Sequence, residues 1–404
     1  MPKITRGAHT FHLGYCMNVH AAEDVPQVHE TLEKYVLPLR QVLAPDAEFG
    51  VGLRLGGRAV NRLWFNRNDR ARLKDVLAQN RLVAFTLNGF PIGDFHAGQV
   101  KEQVFRPSWL EEARVNYTCQ AADVLADLCG SAPRATISTV PGSFKPWGDG
   151  PEVLGGICRN LVRAAVHMHK LHERTGKEVM VCLEPEPFGT LETTEETIRF
   201  FRDWVWAKGK HQIMEHLNLA EPAAEASLER HLGVCFDTCH QAVEFEDLPA
   251  SLRALGTAGV PIGKIQLSCA LSAQGASRVE DLRPFAEDRY FHQVIGRGAG
   301  HTRLRCLDLP DLLRDPGRDW LAAAEWRTHY HVPIHLAKVG PLATTQADLA
   351  KALDHVVATG ASTHLEVETY TWDVLPQAHR RAAAGDDLLE CLRRELSWVI
   401  DRLK

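Results

Sequence analysis

Several acidic residues fall where short apolar runs end. LEPEP (183–187) closes one run and carries Glu184 and Glu186. CFDTCH (235–240) closes another, with Asp237 at its end and His240 three residues on. THLEVET (363–369) places His364, Glu366 and Glu368 at alternate positions, hence on one face of an extended strand. A lone glutamate in such a place usually pairs with a basic side chain or faces solvent. Three acids from three runs, with Asp-x-x-His beside them, point elsewhere. Buried together they repel, which raises their pKa values or calls in a cation. Oxygen donors with one or more imidazoles suit Mn²⁺, Zn²⁺, Mg²⁺ or Co²⁺.

Other runs offer further groups. GKIQLS presents Lys264, Gln266 and Ser268 on one face. The first run ends in Asn18 and His20, the third in Asn88, and Lys145 follows the fourth. HYHVPIH, if extended, points His329, His331 and His335 to one side. That pattern supplies two metal ligands, a ligand and a substrate contact, or merely the polar face of an edge strand. The ten cysteines include no C-x-x-C pair and sit mostly in apolar runs, as buried thiols do. Cys235 and Cys239 straddle Asp237, but a zinc clamp there lacks further thiols.

Eight apolar runs carry these groups: 11–20, 49–56, 82–90, 135–144, 178–187, 232–240, 263–271 and 362–371. Helical periodicity lies between several of them. In 155–177, Ile157, Leu161, Ala164, Met168 and Leu171 recur at about three and four, with Gly176 as a stop. The last nineteen residues form one amphipathic stripe. Strands alternating with helices predict an α/β fold, a (β/α)8 TIM barrel, with the working groups at the C-terminal strand ends. A doubly wound open sheet is the alternative, and no G-x-G-x-x-G follows a strand. About ninety residues separate the seventh and eighth runs. We read 1–404 as one barrel domain, with 272–360 inserted as a lid, part of the site or a homo-oligomer contact.

The chain of 404 residues has 46 Lys and Arg against 51 Asp and Glu, a net charge of −5. No basic field for nucleic acid shows in these totals. No apolar run reaches the ~20 residues of a membrane span, and MPKITRGAHTFHLGY lacks a signal-peptide core, so a cytoplasmic protein is expected.

Glutamate on strand five, D-x-x-H on strand six and Glu-Thr on strand eight together resemble the xylose-isomerase-like TIM-barrel superfamily. That group includes sugar isomerases, epimerases and endonuclease IV. GVCFDTCH is very close to the strand-six motif of endonuclease IV, and LEPEP resembles the LEP motif of the isomerases. YCMNVH, TLNGFPIGDFH, VKEQVFRP and HYHVPIH resemble EboE-type metabolite traffic proteins over most of the chain. The resemblance implies Glu184 and Glu368 as metal-ligating acid and base, Asp237 as a ligand, and His240 as a substrate contact or second-metal ligand. Gln266 stands where the family usually has His or Asp, and His331 or His329 is the candidate replacement. His240, Asn88, His20, Lys145 and His329 are the expected substrate contacts, with Phe90 and Trp147 against an apolar sugar face.

The expected function is a metal-dependent isomerase or epimerase acting on a small sugar, cyclitol or sugar phosphate through an enediolate. An endonuclease IV-like phosphodiesterase and a non-catalytic metabolite-binding protein are the alternatives. Anisotropy titration against duplex DNA at moderate salt is expected to show no salt-sensitive binding; such binding would favour the phosphodiesterase.

Overall fold

The computed structural model describes residues 3–275 and 278–404. Eight parallel strands form the barrel: β1 (His9–Tyr15), β2 (Phe49–Arg54), β3 (Leu82–Asn88), β4 (Arg134–Thr139), β5 (Glu178–Leu183), β6 (Leu232–Asp237), β7 (Ile262–Leu267) and β8 (His364–Val367). They are hydrogen-bonded in the order β1-β8-β7-β6-β5-β4-β3-β2. These are the eight runs read from the sequence, and the predicted (β/α)8 barrel is the fold.

The seam between β1 and β2 is distinctive. A short strand, Lys3–Arg6, folds back antiparallel on the first half of β1, pairing Lys3 with His12 and Arg6 with His9. Past it, the barrel closes by a parallel bridge between Cys16 and Gly52. Glycine is needed there. A Cβ at Gly50 would lie 2.2 Å from the Leu13 carbonyl oxygen, and one at Gly52 would lie 1.6 Å from Glu366 Oε1.

The helices obey local rules. The helix Pro151–Thr175 opens with proline, which has no N–H to leave unpaired, and stops at Gly176 in the left-handed conformation. The closing helix Leu388–Leu403 is capped by Asp387 and buries Leu392, Leu396 and Val399. The same stripe buries Glu395, which accepts from Thr369 Oγ1 at 2.6 Å and from the Ile334 N–H at 3.0 Å. Burial pushes its pKa up to about 7.

Only Ser268 separates β7 from the strand Cys269–Gln274, which starts a second, antiparallel six-stranded sheet. Its middle strand is Glu325–Val332, paired on one side with Val294–Arg297 and on the other with Cys269–Gln274. His329–Val332 of HYHVPIH therefore form the end of a central strand rather than an edge, and the rest of the segment lies beyond it. Leu271, Trp326 and Val332 belong to the same apolar core as the barrel's Leu365 and Val367. The helix Gln346–Thr359 then packs beside Leu248–Thr257 and leads into β8. Among the described residues no helix is long and apolar enough to cross a membrane.

Inside the barrel, Lys264 of β7 and Glu366 of β8 form an ion pair with both side chains 0 % exposed. Burial would lower the lysine's pKa, but the Glu366 carboxylate outweighs it and holds it raised. Glu366 thus serves as this lysine's partner. Removing one member of such a pair strands the other's charge, so Lys264→Met is expected to lower the unfolding free energy by about 3–5 kcal/mol. Lys264→Met/Glu366→Met is expected to recover most of that loss, as read by urea denaturation.

Candidate active site

The C-terminal ends of β5, β6 and β8 deliver Glu184, Asp237 and Glu368. One oxygen from each lies within 4.8 Å of the others, and all three residues are buried. Each is held by different means. Asp237 caps the helix Thr238–Val243: its Oδ1 accepts from the Cys239 N–H at 2.7 Å, the His240 N–H at 3.0 Å and Ser268 Oγ at 2.6 Å. Its Oδ2 is buried without a partner. Glu368 Oε1 accepts from Asn18 Nδ2 at 2.6 Å and Asn88 Nδ2 at 3.1 Å. Glu184 is fixed through its backbone N–H on the Thr139 carbonyl, and its Oε2 is buried and unpartnered.

Electrostatics follow from this crowding. Burial, then the charge of Asp237, pushes Glu184 well above the usual carboxylate range. Burial, then Glu184 and Asp237, does the same to Glu368 and to Glu186. Burial acts upward on Asp237 too, but His240, His331 and its hydrogen-bond donors reverse the sign and hold it low.

Three histidines stand beside this group. His240 Nδ1 lies 3.1 Å from the Pro185 carbonyl oxygen, His331 Nδ1 3.1 Å from that of Glu368, and His329 Nδ1 2.7 Å from Gln293 Oε1. Each acceptor assigns the proton to Nδ1 and leaves an Nε2 lone pair. These lone pairs converge: His331 Nε2 is 3.1 Å from His329 Nε2 and 3.4 Å from His240 Nε2. Burial lowers all three pKa values, that of His331 to about 4, so the rings are neutral at neutral pH. Neutral imidazoles oriented through Nδ1, next to acids with unpartnered buried oxygens, are a donor set that fits a divalent ion. Asp237 with His240 and His331, Glu186 with His240 and His329, and Cys239 with His329 and His331 each bring ligand atoms within 4.8 Å.

A cavity of about 50 Å³ opens onto this floor. Asn18, Asn88, Glu184, Glu186, His240, His329 and Glu368 line its depth. The structure turns other expected contacts away. His20 follows a 3-10 turn, Met17–Val19, that breaks the strand's alternation. It stacks on Tyr35 at 4.2 Å and meets the Tyr15 hydroxyl at 3.2 Å, and Asn18 takes the inward place. Lys145 Nζ is held by Glu192 at 2.7 Å and Glu196 at 2.9 Å, outside the cavity lining. Gln266 Oε1, the atom a metal would use, accepts from Cys235 Sγ at 2.5 Å. Trp147 sits under Arg106 at 4.1 Å, away from the lining that Phe90 joins. His335 lies past its strand, 3.4 Å from the Ala383 carbonyl oxygen.

Sequence reasoning passed over Glu186 and Cys239 as ligands and Asn18 and Tyr370 as lining. Glu186 was visible in LEPEP, and a Pro on each side of it favours extended backbone. Nothing local marks Tyr370 as facing the site.

No family model and no curated protein matches the chain. Among solved structures it is similar to an L-ribulose 3-epimerase, at 15 % identity over 100 % of this chain and 95 % of that one, with a TM-score of 0.48. It is similar to the IolI protein with a bound zinc atom, at 12 % identity over 97 % of each chain, TM-score 0.45. It is also similar to 3-keto-D-glucoside 4-epimerase from E. coli, at 12 % identity over 91 % of this chain and 95 % of that one, TM-score 0.43. The EboE-type resemblance rests on the sequence motifs alone.

The raised carboxyl pKa values have a measurable sign. A folded-state pKa above the unfolded one gives stability that is present at low pH and lost as pH rises through the raised value. Above the ordinary histidine value of about 6.5, the imidazoles no longer contribute. The metal-free protein is therefore expected to lose Tm as pH rises from neutral through the raised carboxyl values. Added Zn²⁺ or Mn²⁺ should raise Tm more at the alkaline end. Calorimetric titration in buffers of different ionisation enthalpy should show protons released on metal binding.

Proposed function

We propose that this protein is a metal-dependent isomerase or epimerase acting on a small α-hydroxycarbonyl compound of the sugar or cyclitol kind. The observation that carries the reading is the buried group Glu184, Asp237 and Glu368, with free oxygens on Glu184 and Asp237, at the floor of a cavity that Glu184 and Glu368 line. Glu184, Asp237 and Glu368 would hold one divalent ion, with His331 as the imidazole in place of Gln266. His240 and His329 would contact the substrate or share a second ion with Glu186. The metal, when bound, supplies positive charge that polarises the carbonyl and stabilises negative charge on adjacent substrate oxygens.

The chain's own residues do the rest. One of Glu184 and Glu368 takes the proton from the carbon next to the carbonyl, and the bonding pair moves towards the carbonyl oxygen to give an enediolate. The other glutamate delivers a proton to the opposite face of the same carbon, or to the former carbonyl carbon, in which case the hydroxyl on the first carbon passes its proton to the former carbonyl oxygen and becomes the new carbonyl. Asn18 and Asn88 both donate to Glu368 Oε1 and fix its orientation. Asn18 Oδ1 is buried without a partner and is placed to accept from a substrate hydroxyl.

The test is deuterium wash-in. Metal-reconstituted protein is incubated in D2O with a panel of ketoses and inososes and followed by NMR. Deuterium should enter at the carbon beside the carbonyl. Glu184→Gln and Glu368→Gln should each slow this by roughly 10²–10⁴-fold while the fold is kept, as acid–base catalysis contributes that much. Full exchange in both variants would remove the assigned acid and base.

A further inference from the structure

The upper wall of the cavity differs from its floor. Phe95, Tyr290 and Tyr370 form a mutually packed trio, with ring centroids 5.0, 5.2 and 5.1 Å apart. Phe90 and Phe291 join the lining, backed by the stacked rings of Phe105 and Phe144. The hydroxyl of Tyr290 meets His96 Nδ1 at 3.3 Å, and that of Tyr370 points to the floor, 3.4 Å from His329 Nε2. The amide of Gln293 is used up between the Pro187 carbonyl oxygen and His329. Above that floor the wall, with Phe90, Pro91, Phe95, Val104 and Phe291, presents mainly carbon.

Lys101 is the one Lys or Arg among the described lining residues. Its Nζ is saturated by Asp308 and by the carbonyl oxygens of Tyr290, at 2.8 Å, and Glu287, at 3.5 Å. Arg289 lies 5.9 Å from the Tyr290 ring centroid and does not line the cavity. A phosphate dianion would enter a space walled by rings and floored by Glu184, Glu186 and Glu368, with no free cation to meet it. Leaving such a charge unpaired among rings and carboxylates is unfavourable. An apolar group in the same place gains from leaving water.

We infer that the substrate carries an apolar substituent beside its oxygen-rich head, and no phosphate. This narrows the proposed function and rests on it: the acids and imidazoles of the floor take the hydroxycarbonyl head, and the aromatic wall takes the substituent. Phosphorylated sugars are set aside.

Three hydroxamates test it against the Mn²⁺-loaded full chain by calorimetric titration. Acetohydroxamate mimics the head alone, phenylacetohydroxamate adds a ring, and phosphoglycolohydroxamate adds a phosphate. Phenylacetohydroxamate should bind roughly tenfold or more tighter than acetohydroxamate, the gain expected from burying a ring. Phosphoglycolohydroxamate should bind no tighter than acetohydroxamate. Phe95→Ala should narrow the phenyl-to-methyl ratio, and the wild-type ratio decides the question even if that variant misfolds. If acetohydroxamate binds and the phenyl adds nothing, or the phosphate gains tenfold, this inference falls and the functional reading stands. If none of the three binds, both fall.

Discussion

The site is organised around the cost of keeping several carboxylates in one dry place. Glu184, Asp237 and Glu368 converge there, with Glu186 nearby and Glu366 beneath them. Against these acids the barrel interior sets one lysine, and Lys264 is already committed to Glu366. The remaining imbalance is managed unequally. Asp237 receives three donors on one oxygen and stays ionised, while the glutamates are pushed towards the protonated state. A strand end that is also a helix N-cap does two things at once: it satisfies the first N–H groups of the helix and fixes the acid's second oxygen outward.

The histidines follow the same logic. A ring whose Nδ1 is tied to a main-chain carbonyl cannot choose its tautomer, and His240 and His331 are both tied this way. His331 is tied to the carbonyl of Glu368 itself, so the second sheet and the barrel are registered to each other at the site. Glu395 adds a second tie from the closing helix, joining Thr369 to the Ile334 N–H. A carboxyl buried in an apolar helix stripe is otherwise unfavourable, and these two bonds account for its presence.

The barrel was legible in the sequence because its strands are buried on both faces and read as continuous apolar runs. The acids were legible for a related reason: an acid at the end of such a run breaks the pattern. What stayed hidden depended on departures from regular geometry. His20 and Asn18 share a strand parity, and only the 3-10 turn after Tyr15 separates their fates. Lys145 looked available because Glu192 and Glu196 lie about fifty residues away. The central place of the strand that ends in HYHV depended on pairings within the second sheet, which no local pattern specifies.

The seam between β1 and β2 gives the barrel two unlike ends. At the far end, the Lys3–Arg6 strand occupies the edge of β1 that would otherwise meet β2. Beyond it, towards the C-terminal ends of the strands, Gly50 and Gly52 let the two strands touch backbone to backbone. The cylinder is thus drawn closed on the side of the acids and split at its base. A side chain larger than hydrogen at Gly52 would meet the Glu366 carboxylate and the Tyr15 carbonyl, so this closure and the buried Lys264–Glu366 pair constrain the same stretch of wall.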